Sequence, residues 1–478
     1  MKRLSDNGTC RLVLCGLLMA ALTGTAGGCR AGGRLQVKEL RTEYRLNPIG
    51  IGTPVPRLSW TLQSGERGDG QSAYRIMVAG SIPSLSKERK LLWDSGNVDS
   101  SESLNIPYAG IPLSSSRRCF WKVRVWDQNG RPSSWSRPAI WETALLHPED
   151  WPAQWIFDGK PDPEEDSDFY RDDPAPLFRK AFSLPQKPIE ARLYITGLGY
   201  YEARINGSRA GKSVLDPGWT DYADRILFST FDVNSLLQKG ENCLAVTLGN
   251  GWYNPLPLRM WGRLNLREHL SVGRPRLIAQ LMLRFPDGGT RTVVSDPTWK
   301  VREGPLLRNN IYLGEVYDAR LEISGWDSPH FDDSVWTLAT AAPSPGGRLE
   351  AQMQPPVKIT EEISAVRLTE PEPGTFIYDC GENFAGWIRM KVDAPKGTTI
   401  RLRYGELLYP DGSLNPMTGV CGQIKGFRSD GSPVGGPGAP EIAVQQDVYI
   451  AAGRGEEIYV PTFTYHAFRY VEVSGLPV

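Results

Sequence analysis

The chain has 478 residues, enough for about three domains at roughly 100–200 residues each. Lys plus Arg and Asp plus Glu both number 54, so no global charge draws the chain toward nucleic acid or anionic lipid, and we expect no nucleic-acid partner. The 15 Trp, 18 Tyr and 14 Phe, punctuated by 50 Gly and 38 Pro, favour an all-β protein whose aromatic side chains build sandwich cores, face ligands such as sugars, or do both.

The first 29 residues predict an export signal. Basic residues precede the apolar run LVLCGLLMAAL at 12–22, which is too short to span a membrane and is typical of a signal peptide. Small residues follow, and Ala-Gly-Gly-Cys at 26–29 is similar to a bacterial lipobox, in which the cysteine is lipidated. We therefore expect an exported, periplasmic or cell-surface protein, either anchored by a lipid at Cys29 or released by a plain signal peptidase.

Four cysteines follow this segment, far apart and without the spacing of metal ligands. Cys119 and Cys243 lie in apolar strand patterns, so we predict that both are small buried side chains. The four histidines of the chain also lack a metal-type spacing. The sequence therefore predicts neither a Cys/His metal site nor an organic cofactor.

Residues 36–145 alternate apolar and polar positions over short segments. The clearest of these, CFWKVRVWDQNG at 119–130, places Trp121 and Val123 on one face of a strand and ends at Asn-Gly, a strong hairpin signal. The strand spacing and the tryptophans at core positions predict a fibronectin-III-like sandwich.

Residues 150–345 predict a second, larger sandwich that opens at DWPAQWI. The acid-rich stretch 160–176 is poor in apolar residues, so we predict a solvated loop inserted near the start of this domain. The segment 232–242 is the one short helix predicted here, with Asp232 as its N-cap and Gly240 as its stop.

Residues 350–476 predict a third sandwich, divided by the Gly- and Pro-rich loop 417–440. No long amphipathic helical pattern occurs after residue 240. The predicted fold class is therefore all-β, with three consecutive β-sandwich domains.

Several aromatic- and glycine-rich stretches follow one another along the chain: NPIGIGTPVPRLSW (47–60), DWPAQWI (150–156), YITGLGYYEARINGSRAG (194–211), LDPGWTDY (215–222), LGNGWYN (248–254), YLGEVYDAR (312–320), YDCGENFAGW (378–387) and FTYHAFRYVEVSGLP (463–477). Together, and in this order, they resemble the N-terminal half of bacterial α-L-rhamnosidases, glycoside hydrolases that remove terminal rhamnose. The resemblance implies a jelly-roll, carbohydrate-binding-like second domain and a concanavalin-like third domain.

In that family the sandwich domains are followed by an (α/α)₆ barrel that holds the catalytic carboxylates. Such a barrel needs long amphipathic helices, which this sequence lacks. We therefore predict no catalytic residue in this chain and expect it to be inactive alone. Three interpretations stay open: a fragment of a true hydrolase, a complete surface-anchored glycan-binding protein, and a scaffold that docks a separate catalytic barrel.

The predicted carbohydrate-binding residues lie in loops of the second domain. Sugars present apolar C–H faces and hydroxyl groups, so their sites combine aromatic platforms with amide or carboxylate hydrogen-bonding groups. Residues of these types are Asp216, Trp219, Tyr222, Asn250 and Trp252. The alternative is structural, with Trp219 filling the core. The expected partners are rhamnose-containing glycans or glycosides.

The resemblance also implies a calcium ion with oxygen ligands at this domain. The side chain of Asn250 and the carbonyl of Pro255 are compatible with that role, and Glu202 is the one carboxylate offered by the neighbouring strand. These three residues form the predicted calcium site.

Two acidic segments offer substitute carboxylates. In GEVYDAR, Glu315 and Asp318 lie three residues apart, which in a strand places them on opposite faces, so we expect an ion pair of Asp318 with Arg320 or a turn bond. For Asp379 in YDCGENFAGW we likewise expect a structural turn, with contact to a neighbouring domain as the alternative.

Overall fold

A computed structural model describes residues 35–257, 259–260, 264–419, 426–427, 433–434 and 445–477. The predicted signal peptide, Cys29 and Cys421 lie outside these residues. Over the described ranges the chain is dominated by strands, which confirms the all-β prediction. None of the helices found there has the length and apolar character needed to cross a membrane.

The first domain packs a three-stranded sheet, β1-β2-β6, against a sheet of order β4-β3-β7-β8 with β5 paired to β3. Its core contains fully buried Trp60, Trp121 and Trp141, because alternate positions of the strands face inward. Cys119 is buried among them as a free thiol, as predicted. The elements are β1 Gln36–Thr42, β2 Arg57–Gln63, β3 Gln71–Ala79, α1 Ile82–Ser86, β4 Leu91–Asp94, β5 Val98–Asp99, β6 Ile106–Pro107, β7 Arg118–Asp127, β8 Ala139–Glu142 and a 3₁₀ turn Pro148–Asp150.

The next part of the chain supplies most of the second domain. Its elements are β9 Ile156–Phe157, a 3₁₀ helix Asp166–Tyr170, β10 Pro176–Leu184, β11 Glu190–Leu198, β12 Tyr200–Ile205, β13 Ser208–Arg209, β14 Arg225–Asp232, a 3₁₀ turn Asn234–Leu236, β15 Gly240–Gly249, β16 Arg259–Met260, β17 Leu264–Asn265, α2 Leu266–His269, β18 Arg276–Arg284, β19 Thr290–Val294, β20 Lys300–Glu303, β21 Leu306–Asn310, β22 Gly314–Asp318, a 3₁₀ turn Ala319–Leu321, β23 Thr337–Leu338, β24 Thr340–Ala341 and β25 Arg348–Ala351.

Two large sheets form the second sandwich. One has the order β13-β12-β15-β10-β20-β23 and the other β24-β9-β18-β11-β14-β25, with β19 on β18. The core between them mixes side chains of both sheets, including Phe178 and Val246 from the first with Leu193 and Leu281 from the second. The loops at one end of this sandwich carry the predicted sugar-binding residues.

The helix predicted over 232–242 is wrong in extent. The structure has a single 3₁₀ turn, Asn234–Leu236, in which the Asp232 carboxylate accepts the N–H of Asn234 at 3.1 Å. Gly240 does not end a helix but opens β15, which pairs with β10. The apolar residues at helical spacing instead anchor one turn to the core, because the chain has to re-enter the sheet eight residues after β14.

The third domain is built on one seven-stranded sheet of order β21-β22-β34-β29-β36-β27-β26. A two-stranded sheet of β28 and β35, which are distant in the chain, covers part of it, and two hairpins are β30-β31 and β32-β33. The elements are β26 Arg367–Glu372, β27 Thr375–Gly386, β28 Met390–Asp393, β29 Thr399–Gly405, β30 Leu407–Leu408, β31 Leu414–Asn415, a 3₁₀ turn Pro416–Gly419, β32 Gly426–Phe427, β33 Pro433–Val434, β34 Gln446–Ile450, β35 Glu456–Tyr459 and β36 His466–Ser474.

Strands β21 and β22 link the second and third domains. They lie inside the range 150–345 predicted for the second domain, yet β22 pairs in parallel with β34, with Val316 opposite Val448. The sheet of the third domain is therefore completed by a hairpin that precedes the predicted boundary at 345–350.

A buried ion pair joins the first and second domains. Glu142, at the end of β8, accepts two hydrogen bonds from the Arg192 guanidinium of β11, at 2.7 and 2.9 Å. The two side chains are 2% and 5% exposed. Their charges therefore interact with little screening by water.

Candidate functional site

Two tryptophans from separate loops stack at one end of the second sandwich. Trp219 lies in the loop before β14 and Trp252 in the loop after β15, and their ring centroids are 4.6 Å apart with planes 13° from parallel. The rings of Tyr312 and Trp252 are nearly perpendicular, with their centroids 5.8 Å apart. Trp219 is 48% exposed, so the indole is not the core plug that the structural alternative predicted. We call Trp219 and Trp252 the tryptophan pair.

Close backbone approach places Trp252 in this position. Gly251 has φ +47°, and a Cβ there would lie 2.8 Å from the backbone carbon of Gly199. The turn closes with a hydrogen bond from the N–H of Asn254 to the carbonyl of Asn250 at 3.0 Å. Because Gly251 needs no room for a side chain, the loop can fold back against β12 and direct Trp252 toward Trp219.

Asp216 lies beneath the loop that carries Trp219. It is buried, and its carboxylate accepts hydrogen bonds from the Tyr201 hydroxyl, the Ser229 hydroxyl at 2.6 Å and the Gln352 amide at 2.9 Å. Burial raises the pKa of this carboxyl above its ordinary value. In this arrangement Asp216 connects the loop to β12, β14 and the segment after β25, and its direct contact with sugar stays a prediction.

Tyr222 and Asn250 also make internal contacts. Tyr222 is 2% exposed and meets the ring of Tyr253 edge-on at 5.3 Å. The side-chain amide of Asn250 donates to the carbonyl of Asn309 at 2.9 Å, and its oxygen accepts from Asn254 at 2.8 Å. Of the five predicted sugar-binding residues, the tryptophan pair therefore presents the accessible surface, and the other three hold its loops.

The predicted calcium ligands are occupied by protein donors. Glu202 forms ion pairs with Arg204 and Arg209, at 2.9 and 3.0 Å. The carbonyl of Pro255 accepts from the guanidinium of Arg267 at 2.9 Å. The three oxygen donors do not fit a calcium ion as they stand, because a bound cation would have to displace the guanidinium groups from two of them.

The described ranges also contain no group of three or more His, Cys, Asp or Glu residues arranged to hold a metal. The calcium site therefore stays a prediction from resemblance, and no chemistry is derived from it.

A cavity of about 980 Å³, which the sequence did not predict, lies beside these loops. It is bordered by the acidic insertion, by the loop after β15 and by strands of the third domain. Its walls carry amides and an aromatic ring, including Asn254, Asn310 and Phe169. Its volume falls within the range of small-molecule sites.

The acidic insertion is more ordered than the predicted solvated loop. It contains the 3₁₀ helix Asp166–Tyr170, and Arg274 binds it through ion pairs with Asp158 and Asp173 at 2.8 and 3.0 Å. Arg267 also lies over the ring of Phe169 at 4.0 Å. The acid-rich composition predicted a solvated loop. The prediction missed the order of this segment because the arginines that pair with its acids lie in distant parts of the chain.

The substitute carboxylates have structural partners. Asp318 pairs with Arg320 at 2.7 Å and accepts its backbone N–H, as predicted. Asp379 lies within strand β27 rather than in the predicted turn. It accepts the N–H of Gly381 where the strand register is irregular, and it pairs with Arg469, so its contacts are structural. Glu315 is buried in the third domain, where its carboxylate accepts hydrogen bonds from Tyr459, Thr462 and Phe463.

The described residues thus form three β-sandwich domains, the second of which carries a stacked tryptophan pair with Trp219 exposed. Family models assign each domain. Residues 37–147 match the Rha78A-like N-terminal immunoglobulin domain, 186–361 the alpha-L-rhamnosidase N-terminal domain, and 369–478 the bacterial alpha-L-rhamnosidase concanavalin-like domain.

Individual relatives agree with these matches. An alpha-L-rhamnosidase of Streptomyces avermitilis is 31% identical over 93% of this chain and 56% of its own length, and one of Formosa agariphila is 35% identical over 90% and 44%. Among solved structures, the alpha-L-rhamnosidase of Dictyoglumus thermophilum has a TM-score of 0.81 at 39% identity, covering 92% of this chain and 47% of its own.

The Streptomyces avermitilis enzyme, solved in complex with L-rhamnose, has a TM-score of 0.78 at 30% identity, covering 93% of this chain and 56% of its own. The chain therefore belongs to the bacterial α-L-rhamnosidase family and carries its non-catalytic immunoglobulin-like, N-terminal and concanavalin-like domains. It spans about half the length of the curated relatives it matches.

Proposed function

We propose that this chain binds rhamnose-containing glycans or glycosides in rhamnoglycoside degradation, together with a catalytic barrel domain. The observation that carries the proposal is the tryptophan pair, whose Trp219 ring is 48% exposed. A second indole stacked behind Trp219 keeps its plane fixed before a ligand arrives, which lowers the entropy lost on binding. The relative solved with L-rhamnose supports the choice of sugar.

The 6-deoxy sugar suits this surface. Rhamnose has a methyl group and apolar C–H faces that can pack on an indole, and its hydroxyls need nearby donors and acceptors. Asn250, two residues before Trp252, supplies an amide in the same loop. The buried carboxylate of Asp216 anchors the neighbouring loop, which carries Trp219. We assign the stacking role to Trp219 and the supporting roles to Trp252, Asn250, Asp216 and Tyr222.

Calorimetry with L-rhamnose and an aryl α-L-rhamnoside tests the proposal. We expect binding by the wild-type chain and a loss of about tenfold or more in affinity for Trp219→Ala, which corresponds to about 1.4 kcal/mol. The control is Tyr409→Ala, which removes an aromatic side chain of similar exposure, 43%, from the third domain. Equal affinities for wild type and Trp219→Ala, with both folded, would contradict the proposal.

The same titration tests the calcium prediction. Each protein is measured once with calcium and once with a chelator. Because guanidinium groups already bind the oxygens of Glu202 and Pro255, we expect equal affinities in the two conditions. A higher affinity with calcium, lost in Glu202→Gln, would restore the ion as a cofactor and show that Arg204 or Arg209 moves aside.

We further propose that the protein is exported and reaches the periplasm or the cell surface, with a lipid on Cys29. The support is the signal-like segment and its lipobox-like end. Expression of the full chain in bacteria, followed by membrane fractionation, tests this. Cys29→Ser should move the protein from the membrane fraction to the soluble fraction, and an unchanged distribution would favour the plain signal peptide.

A further inference from the structure

Phe463 forms a wedge between the third and second domains. It lies between β35 and β36, its side chain is buried, and its ring stacks on Tyr200 of β12 with centroids 6.5 Å apart and planes 24° apart. At Gly249, which ends β15, a Cβ would lie 2.4 Å from the ring. The absence of a side chain at Gly249 therefore creates the space that Phe463 fills.

The carboxylate of Glu315 holds the backbone of this wedge. Its Oε2 accepts the N–H groups of Thr462 and Phe463 at 3.0 and 3.3 Å, and its Oε1 accepts the hydroxyl of Tyr459 at 3.0 Å. Glu315 lies on β22 and is 1% exposed. One buried side chain thus connects the hairpin shared by both domains to the segment that inserts into the second domain.

A second buried acid lies beside Glu315. Asp447 of β34 is fully buried, and its Oδ1 accepts the backbone N–H of Glu315 at 2.9 Å. Its Oδ2 accepts the hydroxyl of Tyr404 and contacts Nε2 of His466 at 3.0 Å. Two buried acids therefore lie on the paired strands β22 and β34, and the charge of Asp447 disfavours the ionised form of Glu315.

The titratable groups around Glu315 come from every neighbouring element. Asp447 lies on β34, Tyr404 on β29 and Tyr459 on β35, Tyr317 lies two residues away on β22, and His466 of β36 reaches the cluster through Asp447. Of these groups only His466 can carry a positive charge. Burial, and after it the charge of Asp447, raises the pKa of Glu315 to about 8.

We propose that Glu315 is a positioning residue that docks the third domain on the second through Phe463, and that this docking weakens as the pH rises from acidic to mildly basic values. This goes beyond the proposed sugar binding, since it concerns the relative position of two domains. The three hydrogen bonds that Glu315 accepts lower its pKa, but burial and the charge of Asp447 raise the pKa by more. When Glu315 ionises, a second negative charge lies next to Asp447. Exposure of the 459–463 segment to water then relieves the repulsion between the two charges.

The direction of the pH effect follows from the two states. In the undocked or unfolded state the carboxyl is hydrated and ionises near its ordinary value of 4.5, whereas the docked state keeps the proton up to about pH 8. The docked state binds the extra proton between these values. Docking is therefore strongest below about pH 4.5 and declines through the window up to about pH 8.

Hydrogen–deuterium exchange of the full chain at several pH values, corrected for the intrinsic rate, tests this. Wild type should lose protection in peptides covering 459–465 and 199–201 between pH 6 and 9, relative to a peptide from β7 in the first domain. In Glu315→Gln, which keeps the acceptor and remains neutral, protection of the same peptides should not change with pH. A pH profile in Glu315→Gln equal to that of wild type would overturn the proposal.

Two further variants separate docking from folding. Asp318→Asn removes a carboxylate from the same strand that is paired with Arg320, and it should keep the wild-type profile. Phe463→Ala removes the wedge and should lower protection at 199–201 at every pH. If Glu315→Gln does not fold, the wild-type profile decides the matter, since corrected protection that is flat between pH 6 and 9 would contradict the proposal.

Discussion

The Asp216 carboxylate illustrates how a polar residue in a binding loop can act through the loop's position. It accepts hydrogen bonds from Tyr201, Ser229 and Gln352, which belong to three different parts of the second domain. The local sequence Asp-Pro-Gly-Trp resembles a ligand-binding loop and does not reveal that Asp216 is buried. Only the distant partners distinguish an anchor from a ligand contact.

Removing this anchor should destabilise the second domain. Asp216→Ala removes the acceptor of three donors, of which Tyr201 and Ser229 are buried, so we expect the free energy of unfolding to fall by about 1–3 kcal/mol. Urea titration monitored by tryptophan fluorescence measures it. Asp224→Ala removes an exposed acid of the same loop and should change stability by less than about 0.5 kcal/mol. Equal stabilities of the two variants would show that Asp216 is not an anchor.

Individual strands were well predicted, and their partners were not. The alternation in β7 predicted correctly that Trp121 and Val123 are buried, because inward and outward positions alternate along any strand, but Lys122 of the opposite face is buried too, against Trp135. The hairpin β21-β22 shows the limit, since its own pattern does not reveal that β22 pairs with β34, about 130 residues later. The prediction of a short helix over 232–242 was wrong for a related reason. The chain has to return into β15, and this constraint outweighs the local helix propensity.

At the level of paired elements, the contact of β8 with β11 can be tested through its ion pair. Glu142→Gln removes the most buried of the three carboxylates that pair with Arg192, while Glu190 and Asp232 remain, so the free energy of unfolding should fall by about 1–3 kcal/mol. The matched control is Asp94→Asn, since Asp94 pairs with Arg75 at the surface, where such pairs contribute about 0–1 kcal/mol. Urea denaturation of both variants decides it, and equal losses would be inconsistent with a buried interdomain pair.

For the whole molecule, the contacts of Glu315, Asp318 and Asp379 predict that none of these three carboxylates catalyses glycoside hydrolysis. An inverting glycosidase needs an acid and a base about 6.5–9.5 Å apart on either side of the bond. Glu315 is buried in hydrogen bonds, and Asp318 and Asp379 are ion-paired with arginines. We therefore expect no release of the aryl group from an aryl α-L-rhamnoside.

A chromogenic assay of the purified chain against a heat-denatured sample measures this. Turnover above that background would contradict the non-catalytic assignment, and loss of the turnover in Glu315→Gln would then locate the acid. If binding is present and hydrolysis is absent, a role as a binding module for a catalytic domain is favoured.

The sequence by itself determined the all-β class, the order of three sandwich domains and the family, because strand periodicity, turn residues and family motifs are local signals. It also predicted the residue types at the candidate site. Tertiary structure alone decided that Trp219 stacks on Trp252, that Asp216 and Tyr222 are buried, and that Glu315 is buried beside Asp447. These contacts depend on how the sheets pair and the loops fold back, because both bring together residues that are far apart in the chain. Burial then determines which of these side chains are charged and which are structural.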